Sequence, residues 1–250
     1  MRIAVAGATG RIGQRTMAAL RQAGHTPVPI SRSGGVDVLT GAGLDAALAG
    51  AKTVIDVMNT TADPEETVRF FHTATVSLLA AEQRAGVGHH VLLSIVGVEL
   101  VPDNPHYRGK IAQEALVTQG PVPATIVRAT QFFDFVGGIA QSATDGQTVR
   151  LPPALMQPIV SDDVADALAD IAVGKPVNGT VELAGPEPIR LDELVRRFLS
   201  ANRDARKVTT DAQARYFGIK LNDQSLTPGA NPRIGPTRFE GWLSRAVPQR

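Results

Sequence analysis

The sequence has 250 residues, 25 Lys+Arg against 24 Asp+Glu for a formal net charge of +1, 43% hydrophobic residues and no cysteine. Length and apolar content suit a globular protein with a sizeable core, in one large or two unequal domains, and balanced charge without runs gives no sign of a nucleic-acid or membrane-surface binder. The lack of cysteine excludes disulfides, thiolate catalysis and cysteine-ligated metal sites.

Ile3, Val5 and the small apolar residues between them read as a buried strand that runs straight into Gly7-x-x-Gly10-x-x-Gly13, and a helical pattern follows from Arg11 to Ala23. Strand, glycines and helix in that order are the context of a dinucleotide-binding loop. Gly7 permits the turn off the strand, Gly10 admits a pyrophosphate with no Cβ in the way, and Gly13 allows close helix packing. Thr9, Arg11 and Ile12 complete the loop, whose free amides sit at the positive end of a helix dipole.

His25 to Ile30 reads as a second strand ending at Ser31-Arg32-Ser33. In this fold the tip of the second strand faces the adenosine ribose, and a carboxylate there binds the 2′-hydroxyl of NAD. Here the tip offers hydroxyls and a guanidinium, which suit a 2′-phosphate, so the expected cofactor is NADP(H). Arg11 is a second candidate clamp for that phosphate.

Val36 to Leu39 reads as a short third strand, Gly43 to Ala49 as a short helix and Thr53 to Val57 as a fourth strand, with Met58 and Asn59 expected beside the cofactor. Pro64 to Ala85 is a long helix, and a fifth strand, His90 to Leu93, ends at Ser94. Asn104 caps a helix to Thr118 with Pro105 at its first position, and Ala124 to Arg128 is a sixth strand. His89 and His90 are neighbours on a strand, point to opposite faces and are no metal pair; no metal site is expected.

Strands alternating with helices predict an α/β fold, a Rossmann-like doubly wound parallel sheet. The NADP-binding core is expected over 1–130. Residues 131–250 read as a smaller substrate-side region laid on the sheet's carboxyl edge, in one structural unit with the core. That region opens with Phe132, Phe133 and Phe135 and continues through a strand at Thr148 to Leu151, a helix from Ser161 to Val173, a strand at Thr180 to Leu183 and a helix from Asp192 to Ala201. Regular pattern is then sparse until Pro236 to Ala246. Phe132, Phe133 and the Met156 loop are expected to wall a substrate pocket.

The segments GATGRIG, LLSIVG, HYRGK, IVRATQFFDF and PIVSDDVADAL together resemble the atypical short-chain dehydrogenase/reductase group, specifically its NmrA-like NAD(P)-binding branch. The resemblance implies a hydride-transferring enzyme in which a Ser and a Tyr polarise a substrate carbonyl and a Lys near the nicotinamide ribose lowers the Tyr pKa. Ser94 matches the Ser and Lys110 the Lys. The family places its Tyr four residues before the Lys, where this chain has His106; Tyr107 is three before.

On a helix those two positions point about 100° apart, so only one can face a nicotinamide. His106 would be a neutral imidazole disfavoured as a cation by the helix N-terminus, whereas Tyr107 would require a rotated or tightened first turn. If neither acts, the protein is a non-catalytic NADP(H)-binding redox sensor. The leading expectation is an NADP(H)-dependent oxidoreductase reducing a small carbonyl, enone or quinone-like compound. It would be a monomer or homodimer with no nucleic-acid or membrane partner. A cytoplasmic location is expected, because the first residues lack the basic and apolar segments of a signal peptide.

Overall fold

The computed structural model describes residues 1–246. The chain forms two compact units, Met1–Arg128 with Val164–Val181, and Ala129–Asp163 with Glu182–Arg250. They are interleaved along the chain, because 164–181 returns to the first unit.

The first unit starts with β1 (Arg2–Ala6), α1 (Arg11–Gln22), β2 (Thr26–Ile30), α2 (Leu44–Leu48) and β3 (Thr53–Asp56). It continues with α3 (Pro64–Ala85), β4 (His89–Ile95), α4 (Pro105–Gln119) and β5 (Ala124–Ala129). Next come α5 (Val136–Ser142), β6 (Thr144–Asp145), β7 (Thr148–Leu151), β8 (Leu155–Met156) and α6 (Ser161–Val173). The last elements are β9 (Gly179–Ala184), β10 (Ile189–Arg190), α7 (Leu191–Ala201), β11 (Lys207–Thr210), β12 (Arg233–Ile234) and α8 (Phe239–Ala246).

The central sheet is seven-stranded and parallel, in the order β2-β1-β3-β4-β5-β9-β12. β1 lies between β2 and β3, so the chain steps outward to β2 and then crosses back over β1. That reversal creates the crevice at which ligands bind in doubly wound sheets, beyond the carboxyl ends of the strands. Ile3, Ala4, Val5 and Ala6 are all fully buried, as a central parallel strand covered on both faces requires.

Local chemistry sets the helix ends. Asp63 accepts the Glu66 amide at 3.0 Å and Pro64 follows it, while Gly86, at φ 67°, closes α3 in the left-handed region; this is the cap and stop chemistry of a well-defined helix. Asn104 accepts the amides of His106 and Tyr107 at the start of α4. α3 and α4 pack closely because Gly109 has no side chain, and a Cβ there would lie 2.2 Å from Phe71 Cδ2.

Two elements differ from expectation. Val36–Leu39 is a turn and not a strand: Asp37 Oδ1 accepts the Leu39 amide at 2.8 Å, and Gly35 and Gly41 take positive φ on either side. β4 extends through Ile95, so Ser94 lies inside the strand. Ser161 opens α6, and its hydroxyl donates to Asp134 Oδ2.

In the second unit β7 pairs antiparallel with β6 and parallel with β11, and β8 pairs with β10. The core of this unit includes Phe133, Met156, Leu194, Leu199, Phe239 and Leu243. The tract beyond Asn202 thus supplies β11, β12 and α8 despite its sparse pattern. Among the described residues no helix is long and apolar enough to cross a membrane, and no cluster of His, Cys, Asp or Glu could hold a metal ion.

Candidate functional site

The glycine loop is built as a dinucleotide cradle. Gly7 has φ +84°, and its amide donates to Ile30 O while its carbonyl accepts the Gly10 amide. A Cβ on Gly7 would lie 2.9 Å from Val57 O, and one on Gly13 only 2.1 Å from Gly7 O. The two glycines therefore let three backbone segments meet: the end of β1, the first turn of α1 and the residues after β3. Gly10 precedes α1 with no side-chain cap, and a helix N-terminus is where backbone amides can receive an anion.

Beside the loop lies a cavity of about 780 Å³, within the range of small-molecule sites. Of the residues expected to bind cofactor, Gly7, Thr9, Ser31, Arg32, Met58 and Asn59 line it. Gly10, Arg11, Ile12, Gly13, Ser33 and Lys110 do not. Ile12 is buried, at 8% exposure, so its backbone is the only part left to serve a ligand, and Ser33 hydrogen-bonds Ser31 Oγ at 3.2 Å.

The opposite wall was not foreseen. It is one face of α3, where Glu66, Arg69, Phe70 and Thr73 recur at helical spacing. That spacing, with Phe71, Ala74 and Leu78 on the buried side, is the sequence signal that could have revealed it. Two carboxylates also border the cavity: Asp37 is engaged with its own turn, and Glu66 pairs with Arg69 at 3.6 Å.

Ser94 and Lys110 are buried, at 3% and 5% exposure, and His106 and Tyr107 are half-buried. Ser94 Oγ has no hydrogen-bond partner among the described residues. His106 packs edge-on against Phe71, centroids 5.4 Å apart, and burial together with the nearby Lys110 charge lowers its pKa to about 4. It is therefore a neutral imidazole at neutral pH. The His106 and Tyr107 rings diverge, 6.3 Å apart at 75°.

Lys110 departs from expectation most. Its Nζ donates to Gln113 Oε1 at 2.8 Å, Leu93 O at 3.1 Å and Met58 O at 3.3 Å, which uses all three ammonium protons. No donor is left over for a ribose hydroxyl. Burial lowers its pKa to about 8, against the opposing charges of Asp56 and Glu114.

No protein-family model matches the sequence, and no curated protein does. Solved structures do match. A short-chain dehydrogenase/reductase superfamily protein from Agrobacterium tumefaciens, with bound NAD, superposes with a TM-score of 0.71 at 17% identity, covering 99% of this chain and 96% of that one. The two chains share their fold. An NADPH-dependent quinone oxidoreductase from Escherichia coli, complexed with NADPH, gives 0.65 at 17% identity over 84% and 77% of the two chains. A UDP-N-acetylglucosamine 4-epimerase from Bacillus cereus gives 0.69 at 18% over 84% and 85%.

The aromatic residues expected to wall a pocket divide. Phe133 and Met156, at 1% and 0% exposure, belong to the second unit's core. Phe133 packs against Phe239 and Trp242 at 5.3 and 5.4 Å, so neither residue is an open wall. Phe132 is half-buried and stacks on the exposed Phe135 at 5.5 Å. Their neighbour Gln131 was not singled out by sequence: it is 8% exposed, and both its Oε1 and its Nε2 lack partners among the described residues.

Proposed function

We propose that this protein is an NADP(H)-dependent reductase of a small carbonyl, enone or quinone-like compound, of the NmrA-like kind. The observation that carries the reading is the tip of β2, where Ser31 and Arg32 face the cavity beside the glycine loop, while of the two carboxylates that border it Asp37 is turned to its own backbone and Glu66 pairs with Arg69. A 2′-phosphate meets a cation and hydroxyls there. The NAD and NADPH bound to the Agrobacterium and Escherichia proteins support a nicotinamide cofactor in this fold.

A bound reduced nicotinamide supplies the hydride. The glycine loop holds the pyrophosphate on the first amides of α1, and Arg32 with Ser31 holds the adenosine end. The buried Ser94 hydroxyl, with no partner of its own, donates a hydrogen bond to the substrate oxygen, and the Tyr107 phenol gives up the proton. His106 is unsuited to that task, since it carries no proton to lose above its pKa of about 4 except that of the neutral ring.

A redox sensor is the second reading. It is favoured by Lys110, whose three protons are spent on internal acceptors and so support no adjacent phenolate. The test is NADPH absorbance with a panel of quinones, enones and ketones, alongside calorimetry with NADPH and NADH. Turnover that survives His106→Gln and is lost in Tyr107→Phe, with NADPH still bound, supports the reductase. Tight NADPH binding without turnover on any member supports the sensor, and absence of binding removes both.

A further inference from the structure

Asp56, Gln113 and Lys110 come from β3 and α4, and they form one buried line. Lys110 Nζ donates to Gln113 Oε1 at 2.8 Å, and Gln113 Nε2 donates to Asp56 Oδ2 at 3.0 Å and to Thr75 Oγ1 at 2.9 Å. The line closes at Met58, whose amide donates to Asp56 Oδ1 at 2.9 Å while its carbonyl accepts from Lys110 Nζ at 3.3 Å. Both polar groups of one residue are thus gripped by the two ends of a single side-chain relay. Asp56, Thr75 and Gln113 are fully buried and Lys110 is 5% exposed.

Met58 is where the nucleotide cavity and the glycine loop meet. It lines the cavity, and its N and Cα are 3.0 Å from where a Gly7 Cβ would stand. A shift of this peptide would move the floor under Gly7 and carry Asn59 with it. The third Lys110 bond, to Leu93 O, fixes the strand next door at the residue before Ser94.

Burying an ammonium and a carboxylate is costly, and apolar replacements of such pairs are often as stable or more so. A network of this kind persists where it fixes a geometry. We propose that Lys110 is a positioning residue which, through Gln113 and Asp56, holds the Met58 peptide in place beneath the adenosine half of the nucleotide. This rests on the nucleotide reading above, and it replaces a direct contact from Lys110 to the nicotinamide ribose.

The test uses two ligands, NADPH and 2′,5′-ADP, which carries the adenosine 2′-phosphate half and no nicotinamide ribose. Their dissociation constants are measured by calorimetry for the wild type, Lys110→Met and Gln113→Met, with thermal melts of each. The expected result is an equal loss for both ligands, about tenfold, the factor for one net hydrogen bond's worth of misplacement. Gln113→Met should reproduce it although Gln113 does not line the cavity.

Loss of NADPH affinity with 2′,5′-ADP unchanged in Lys110→Met would overturn the proposal, because the ammonium would then act at the nicotinamide end. Lower melting temperature with both affinities unchanged would also overturn it, reducing the network to a stability element. Hydrogen exchange on the wild type needs no variant to fold: the Met58 amide should be protected like those of the central strands, and loop-like exchange counts against the clamp. A wild type that bound neither ligand while its Met58 amide stayed protected would remove the nucleotide reading and leave the clamp with nothing to position.

Discussion

Gly10 and Gly13 occupy one loop, and their replacement by alanine should have opposite consequences. In Gly13→Ala the new Cβ would stand 2.1 Å from Gly7 O and 2.8 Å from both Ala8 Cα and Gly7 C. All three are backbone atoms, so no side chain can rotate away and the β1–α1 connection must move. Overpacking of this kind costs about 1–3 kcal/mol, and with only backbone to yield the upper end applies. Replacing Gly by Ala within a helix returns about 1 kcal/mol, which leaves a net destabilisation of about 2 kcal/mol. For a chain of this size the midpoint should fall by roughly 4–8 °C.

Gly10 has φ −74°, which alanine adopts freely, and its Cβ would meet only Gly7 O at 3.2 Å. Loss of unfolded-state entropy favours the variant by about 0.4–1 kcal/mol and a poorer N-cap disfavours it by a similar amount, so its melting point should stay close to wild type. Its Cβ instead occupies the approach of a pyrophosphate, so NADPH affinity should fall by at least about tenfold, or 1.4 kcal/mol. Thermal melts and calorimetric titration of both variants check the pair. Equal loss of stability in the two, or NADPH binding unchanged in Gly10→Ala, would refute the division of labour.

Arg32→Ala should weaken NADPH by roughly ten- to hundredfold, the value of a charge-assisted hydrogen bond, and leave NADH nearly unchanged; equal losses in titration would remove Arg32 from the 2′-phosphate site. His106 links stability to acid. Its folded pKa of about 4 lies below the ordinary 6.5, so between those values the unfolded chain takes up a proton that the folded protein refuses. Stability therefore falls as pH drops through that window, by at most about 3 kcal/mol, and His106→Gln should flatten the decline in melting temperature between pH 6.5 and 4. In Gly109→Ala the Cβ would stand 2.2 Å from Phe71 Cδ2, and Phe71 is fully buried; a net loss of about 1–2 kcal/mol is expected after the helix-propensity gain, read as a lower denaturant midpoint.

The parts of this fold legible in the sequence are those whose cause is local. The bounds of α3 follow from Asp63-Pro64 at one end and Gly86 at the other, each acting within a turn of its own position. The glycine loop is legible because a buried strand, a positive φ at Gly7 and an absent Cβ at Gly13 are demands on consecutive residues. Val36–Leu39 misleads for a reason that is also local: V-D-V-L alternates like a strand, but Asp37 offers its own backbone a competing acceptor. Between two glycines at positive φ that acceptor prevails.

What was not legible depends on partners far away in sequence. Phe132, Phe133 and Phe135 look alike in a composition-based reading, yet one is half-buried, one is in the core and one is 49% exposed. Phe239 and Trp242, about a hundred residues on, decide which ring is swallowed. Lys110 is the stronger case. Its position about one and a half turns into α4 suggests a cofactor contact, and its identity as an ammonium is right for one, but its acceptors are Leu93 O, 17 residues back, and Met58 O, 52 residues back. Gln113 then bridges another 57 residues to Asp56. The same cation could serve a ribose from outside or brace strand ends from within, and under the positioning proposal Gln113 decides between those roles. An acceptor one turn along the helix draws the ammonium inward toward Asp56, so residue 113 is the position to inspect when a lysine after the fourth strand of such a sheet is to be assigned to cofactor or to scaffold.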